Sequence, residues 1–191
     1  ARNNRLLVAG RRRWQHIGHP LSKSVDVMLK PRRSTEKGHK RKFLVVIDDT
    51  PECSRALLYA ARRAEHSGGA LVLLFVIGPS DFQHWLGVEN IMRAEAMEEA
   101  ENTLGRFADL ARSFGTVEPQ LVIREGNRAD EILNLIESDE DIAILVLAAG
   151  TDKEGPGPLV TALAGKAAAT FPIPITIVPG HLDDAAIAAI A

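Results

Sequence analysis

The chain has 191 residues and a formal net charge of −2, which is enough length for one domain with a sizeable core. Its single cysteine excludes an intrachain disulfide and a cysteine-rich zinc site, and suits a reducing cytoplasm. No run of 18 apolar residues occurs, so no segment reads as a membrane-spanning helix.

The near-neutral total conceals two different materials. Residues 1–42 hold 13 Lys and Arg against two acids, a net of +11, whereas the remaining 149 residues hold 10 basic against 23 acidic ones, a net of −13. The leader is broken by Gly10, Gly18, Pro20, Pro31 and Gly38 and lacks apolar periodicity, so it reads as a disordered basic extension. The arginines at 11–13 run into WQHIGHP rather than an apolar stretch, which argues against a secretory signal. An organellar transit peptide and a basic arm for RNA or an anionic surface are the other readings of its charge. The acidic body is a poor partner for nucleic acid, so any such contact falls to the leader.

From residue 43 onward, strands and helices alternate. FLVVID (43–48) is a continuous β-branched run, the mark of a strand buried on both faces. Thr50-Pro51-Glu52 follows and predicts a helix with Thr50 as N-cap and proline in its first turn. That helix buries Ala56, Leu57, Ala60, Ala61 and Ala64 and stops at Gly68-Gly69. ALVLLFVI (70–77) is the second strand, and DFQHWLG (81–87) a loop carrying His84 beside Trp85. A long helix from 88 to 114 places Met97, Ala100, Leu104, Phe107, Ala111 and Phe114 on one stripe, read as core rather than as a cofactor box.

QLVIR (120–124) is the third strand, after which Asn127 caps a helix using Ile132, Leu133, Leu135 and Ile136. IAILVLA (142–148) is the fourth strand, and the glycine-rich loop after it leads to an alanine-rich helix over 159–170. PITIVP (174–179) is the fifth strand, and residues 181–191 form a short tail helix capped by Asp183 or Asp184. The alternation predicts an α/β fold with a parallel sheet covered on both faces. Prolines flanking the fifth strand place it at an edge, where Ile175, Thr176, Ile177 and Val178 would pair with a second copy.

Two acids, Asp48 and Asp49, end the first strand, where ligand-binding groups sit in such sheets. LVVIDDTPECSRALL resembles a response-regulator receiver domain, whose adjacent acids hold Mg²⁺. The aspartate that should end the third strand is replaced by Arg124 and Glu125, so that metal site is incomplete and no metal is expected. Cys53, in the first helical turn, has a redox reading and an inert one, and the missing second cysteine favours the inert one. His84 has no second ligand at metal spacing and reads as a loop or rim residue.

A second set of residues runs through the whole body in order. Ile47-Asp48-Asp49-Thr50 resembles a V-D-x-S strand end, Leu74-Phe75-Val76 an L-H-V, and Ile123-Arg124-Glu125-Gly126 a V-x-x-G. Glu131-Ile132-Leu133 and the run PIPITIV from Pro172 complete a pattern that resembles the universal stress protein family across residues 43–180. The resemblance implies a five-stranded sheet ordered 3-2-1-4-5 and a homodimer joined through strand five. It also implies an adenine-nucleotide pocket for ATP or AMP, with Asp48 at the ribose or adenine edge, Val76 on the base, and the 150–157 loop at the phosphates. The residues so implied are Asp48, Asp49, Thr50, Val76, Ala149, Gly150, Thr151, Lys153, Gly155, Gly157 and Thr161. Counted from Gly150, the family's phosphate pattern G-x2-G-x9-G-[ST] meets Lys153, Leu163 and Ala164 instead of two glycines and a hydroxyl.

Pro156 and Pro158 also remove N–H donors from that loop. The expectation is a non-catalytic, cytoplasmic homodimer serving the stress response by binding a partner or nucleotide. The alternative is an ATP- or AMP-binding switch, or weak ATPase, using the 150–157 loop.

Overall fold

The structure, a computed structural model, describes residues 30–48, 50–78, 89–151 and 155–191. Five strands, β1 (Lys42–Ile47), β2 (Ala70–Ile77), β3 (Pro119–Glu125), β4 (Ile142–Ala149) and β5 (Ile175–Pro179), form one sheet ordered β3-β2-β1-β4-β5. Every neighbouring pair is parallel, as the strand–helix alternation predicts.

Side chains alternate across each strand, so β1 feeds two cores. Phe43, Val45 and Ile47 pack with helix α1 (Cys53–Ser67), with Leu104 and Ala111 of α2 (Glu89–Phe114), and with Ile187 of α5 (Asp184–Ile190). Leu44 and Val46 point the other way, toward Ile132 and Ile136 of α3 (Arg128–Ser138) and Val160 and Leu163 of α4 (Pro158–Ala164). Three helices thus cover one face and two the other. The runs of β1, β2 and β4 are largely apolar because neither of their faces meets water, whereas the edge strands β3 and β5 also carry exposed residues, among them Gln120, Arg124 and Ile177.

Two local expectations are altered. Thr50 is not the cap of α1: Glu52 occupies that position without a side-chain cap, and the helix begins at Cys53. Thr50 instead donates its hydroxyl hydrogen to Asp48 Oδ1 at 2.7 Å, so the group expected to serve the helix serves the strand end. The helix expected over 159–170 breaks at Gly165, where ψ is −122°, and continues only as a 3₁₀ turn over Lys166–Ala169. A Cβ at Gly165 would stand 2.5 Å from the Thr161 carbonyl oxygen, so this backbone break needs glycine. The first described residue of α2 is Glu89; the loop with His84 and Trp85 lies outside the described residues.

Two connections hold the amino-terminal rim of the sheet. Residues 30–41, counted with the leader on charge alone, are held against the turn between α3 and β4. Arg32 Nη1 donates to the carbonyl oxygens of Ile136 at 2.6 Å and Asp139 at 3.4 Å. Both carbonyls stand at the end of α3, where a cation suits the helix dipole; that of Asp139 also accepts the Ile142 N–H at 3.2 Å. His39 Nδ1 lies 2.7 Å from Asp141 Oδ1, and Lys42 Nζ lies 2.7 Å from Asp139 Oδ2. On the far side, Glu65 of α1 accepts both the N–H and the hydroxyl of Thr116, each at 3.1 Å, fixing the entry to β3.

Candidate functional site

In this strand order the chain leaves β1 toward β2 on one side and returns to β4 on the other. The carboxyl ends of β1 and β4 therefore flank the topological switch point, where a crevice opens between the diverging connections. An inner cavity of about 70 Å³ is lined there by Asp48, Thr50, Glu52, Cys53 and Arg128 above Val46 and Leu147. It adjoins an outer cleft of about 650 Å³ bounded by Thr50, Glu52, Gly150, Gly155, Gly157 and Thr161. The outer volume lies in the range of small-molecule sites. The inner one has room for a few waters.

Of the residues predicted from sequence, Asp48, Thr50, Gly150, Gly155, Gly157 and Thr161 are brought together around this crevice. Ala149 ends β4, its carbonyl accepting the Gly180 N–H at 3.0 Å, and Thr151 follows as an exposed residue. Val76 is buried in the core beneath the crevice and lines neither cavity among the described residues. Asp49 and Lys153 lie outside the described residues. Glu52 and Arg128 were not foreseen. Both stand at helix starts, where an acid and a base read as ordinary surface residues.

The glycine loop closes on itself. The Gly150 N–H donates to the Pro156 carbonyl at 3.3 Å. The Gly157 carbonyl accepts both the Thr161 N–H at 3.0 Å and the Thr161 hydroxyl at 2.8 Å. Gly155 and Gly157 carry φ of 99° and 95°, a region costly to any residue with a Cβ. Two groups that the sequence offers to a phosphate, the Gly150 N–H and the Thr161 hydroxyl, thus already have acceptors within the loop.

Cys53 forms the inner wall. It is 2% exposed and its Sγ lies 3.6 Å from the Val46 carbonyl oxygen. Burial pushes its thiol up to about 12, and the Asp48 and Glu52 carboxylates add to the shift. That is the opposite of the depressed value a redox thiol needs. Among the described residues no three His, Cys, Asp or Glu side chains converge as a metal site. Nor, among them, is any helix long and apolar enough to cross a membrane.

A sequence model of the universal stress protein family matches residues 40–179. The chain belongs to that family. Among solved structures, universal stress protein UspA from Lactobacillus plantarum is similar with a TM-score of 0.60 at 14% identity, covering 72% of this chain and 97% of the other. A universal stress protein from Archaeoglobus fulgidus, in complex with dAMP, gives 0.53 at 15% identity, covering 72% and 97%. Another universal stress protein, in complex with cAMP, gives 0.51 at 15% identity, covering 72% and 96%. At these identities the likeness is one of fold. No curated protein sequence matches the chain.

Proposed function

We propose that this universal stress protein binds an adenine nucleotide in the switch-point crevice and acts through that binding, without turnover. The observation that carries the reading is the crevice itself. It opens at the carboxyl ends of β1 and β4, with Asp48 presented by β1 and the glycine loop by β4. The relatives bound to dAMP and cAMP share this fold and support an adenine ligand. The internal bonds of Gly150 and Thr161 support binding over catalysis, since they leave the loop short of donors for a developing charge.

The working form proposed is a homodimer joined through β5, an edge strand whose Ile177 is 39% exposed. Unpaired backbone and an exposed isoleucine suit a second copy of the strand. The cytoplasm is the compartment proposed, where a lone buried thiol needs no partner.

Mass spectrometry of small molecules released from freshly purified protein, followed by calorimetry with AMP, cAMP and ATP, tests the ligand. Asp48→Ala should weaken binding. No released nucleotide and no heat with any of the three would overturn the reading, and steady phosphate release from ATP would make the protein an enzyme instead. Light scattering at micromolar concentration tests the dimer, which Ile177→Lys should split. A wild-type monomer would refute it.

A further inference from the structure

Resting on the adenine-nucleotide reading of the crevice, we infer that Glu52 sets its charge preference. The site takes an adenine nucleoside or a nucleotide of low charge and disfavours the triphosphate. Glu52 stands in the turn between β1 and α1, where the inner cavity meets the outer cleft, and lines both. Two glycines give it that place. A Cβ at Gly150 would lie 3.2 Å from Glu52 Oε1, and a Cβ at Gly180 would lie 3.0 Å from Glu52 Cβ. The carboxylate therefore lies against the first glycine of the loop, at the position a phosphate would approach.

Its surroundings leave that charge standing. Glu52 is half-buried; its backbone carbonyl accepts the Arg55 N–H at 2.8 Å, while its carboxylate has no hydrogen-bond or ion-pair partner among the described residues. No other charged side chain lines the outer cleft among the described residues. In the inner cavity Arg128 faces two carboxylates, those of Asp48 and Glu52, so the described lining is net negative. An ionised carboxylate only accepts hydrogen bonds. It favours ribose hydroxyls or an exocyclic amine and opposes phosphate oxygens. A single phosphate charge held about 5 Å away, at an effective dielectric near 50, weakens binding about tenfold, and the more distant charges of the chain add less.

Calorimetry of the full chain with adenosine, AMP and ATP, on wild type and Glu52→Gln, tests the assignment. The wild type should bind adenosine or AMP more tightly than ATP. Glu52→Gln should raise ATP affinity about tenfold, AMP affinity by less, and adenosine affinity not at all. The gain should shrink as added salt screens the repulsion. Glu52→Ala should show the same ATP gain, because the charge rather than the shape is responsible. An ATP affinity unchanged in both variants while adenosine or AMP still binds, or a wild type that prefers ATP, overturns the role of Glu52 and leaves the crevice reading intact. If no adenine compound binds any of the three proteins, the crevice reading fails and the role of Glu52 falls with it.

Discussion

Raising the pH from 8 to 10 should cost the wild-type protein about 1.4 kcal/mol more stability than it costs Cys53→Ala. The thiol is buried at the first residue of α1, and its pKa is pushed from 9.0 to about 12. A raised folded value means that the folded state keeps its proton while the unfolded chain begins to release it. The thiol's contribution is therefore complete below pH 9 and is lost as pH rises from about 9 toward about 12. One unit into that window gives the figure above, at about 1.4 kcal/mol per unit. All other groups are common to both proteins, and the packing lost with the sulfur is the same at each pH, so the difference between the curves isolates Cys53. Urea unfolding of both proteins at pH 8, 9 and 10 reads it directly. A second assay is thiol labelling of the native protein at pH 8, which should run about a thousandfold slower than in urea, following the thiolate fractions. Parallel stability curves, or native labelling as fast as in urea, would refute the assignment of Cys53 as an inert wall residue.

Ile187 is fully buried against α1, and Ile187→Ala removes three carbons at about 0.8 kcal/mol each. The expected loss is about 2–3 kcal/mol, with new protease cleavage near the carboxyl terminus, because the seven residues of α5 can detach alone. Denaturant unfolding and limited proteolysis check it together. Asn127 accepts the N–H groups of Ala129 and Asp130, so Asn127→Ala should cost about 1 kcal/mol by the same unfolding assay. The N–H of Thr116, then its hydroxyl, then Arg62 hold the Glu65 carboxylate below its ordinary 4.5. That stabilisation is present above about pH 4.5 and lost as pH falls through the depressed value. The gap in melting temperature between wild type and Glu65→Gln should therefore close on acidification below about 4.5.

The three inner strands were legible because each is a short apolar run hidden on both faces, and the edge strands, though partly exposed, keep enough β-branched residues to read as strands. Asn127 was legible for a similar reason: a cap acts within three residues. The order of the strands came through the family resemblance. Glu52 shows where local reading ends. Its meaning depends on Gly150 and Gly180, roughly 100 and 130 residues away in sequence, and nothing local marks that meeting. Arg32 is a second case, since its acceptors lie more than 100 positions downstream. Charge counting placed it in the leader, whereas its hydrogen bonds attach it to α3. The loop donors form a third. Whether the Gly150 N–H and the Thr161 hydroxyl are free depends on how the loop closes, which glycine and proline counts do not determine.

The attachment of residues 30–41 at the start of β4 has a practical consequence. Residues 30–33 lie at the rim where the strands begin, one strand length, about 20 Å, from the end that carries the crevice. An amino-terminal handle therefore offers a way to fix this protein to a sensor chip or bead with its opening turned toward the flowing solution. The carboxyl terminus reaches the same rim, since the last helix starts at the Arg55–Asp184 pair, runs along α1, and leaves the carbonyl oxygen of Ala191 3.2 Å from His66 Nδ1 in the last turn of α1. For surface-based measurement of small ligands, a handle at either end anchors the side of the sheet opposite the crevice.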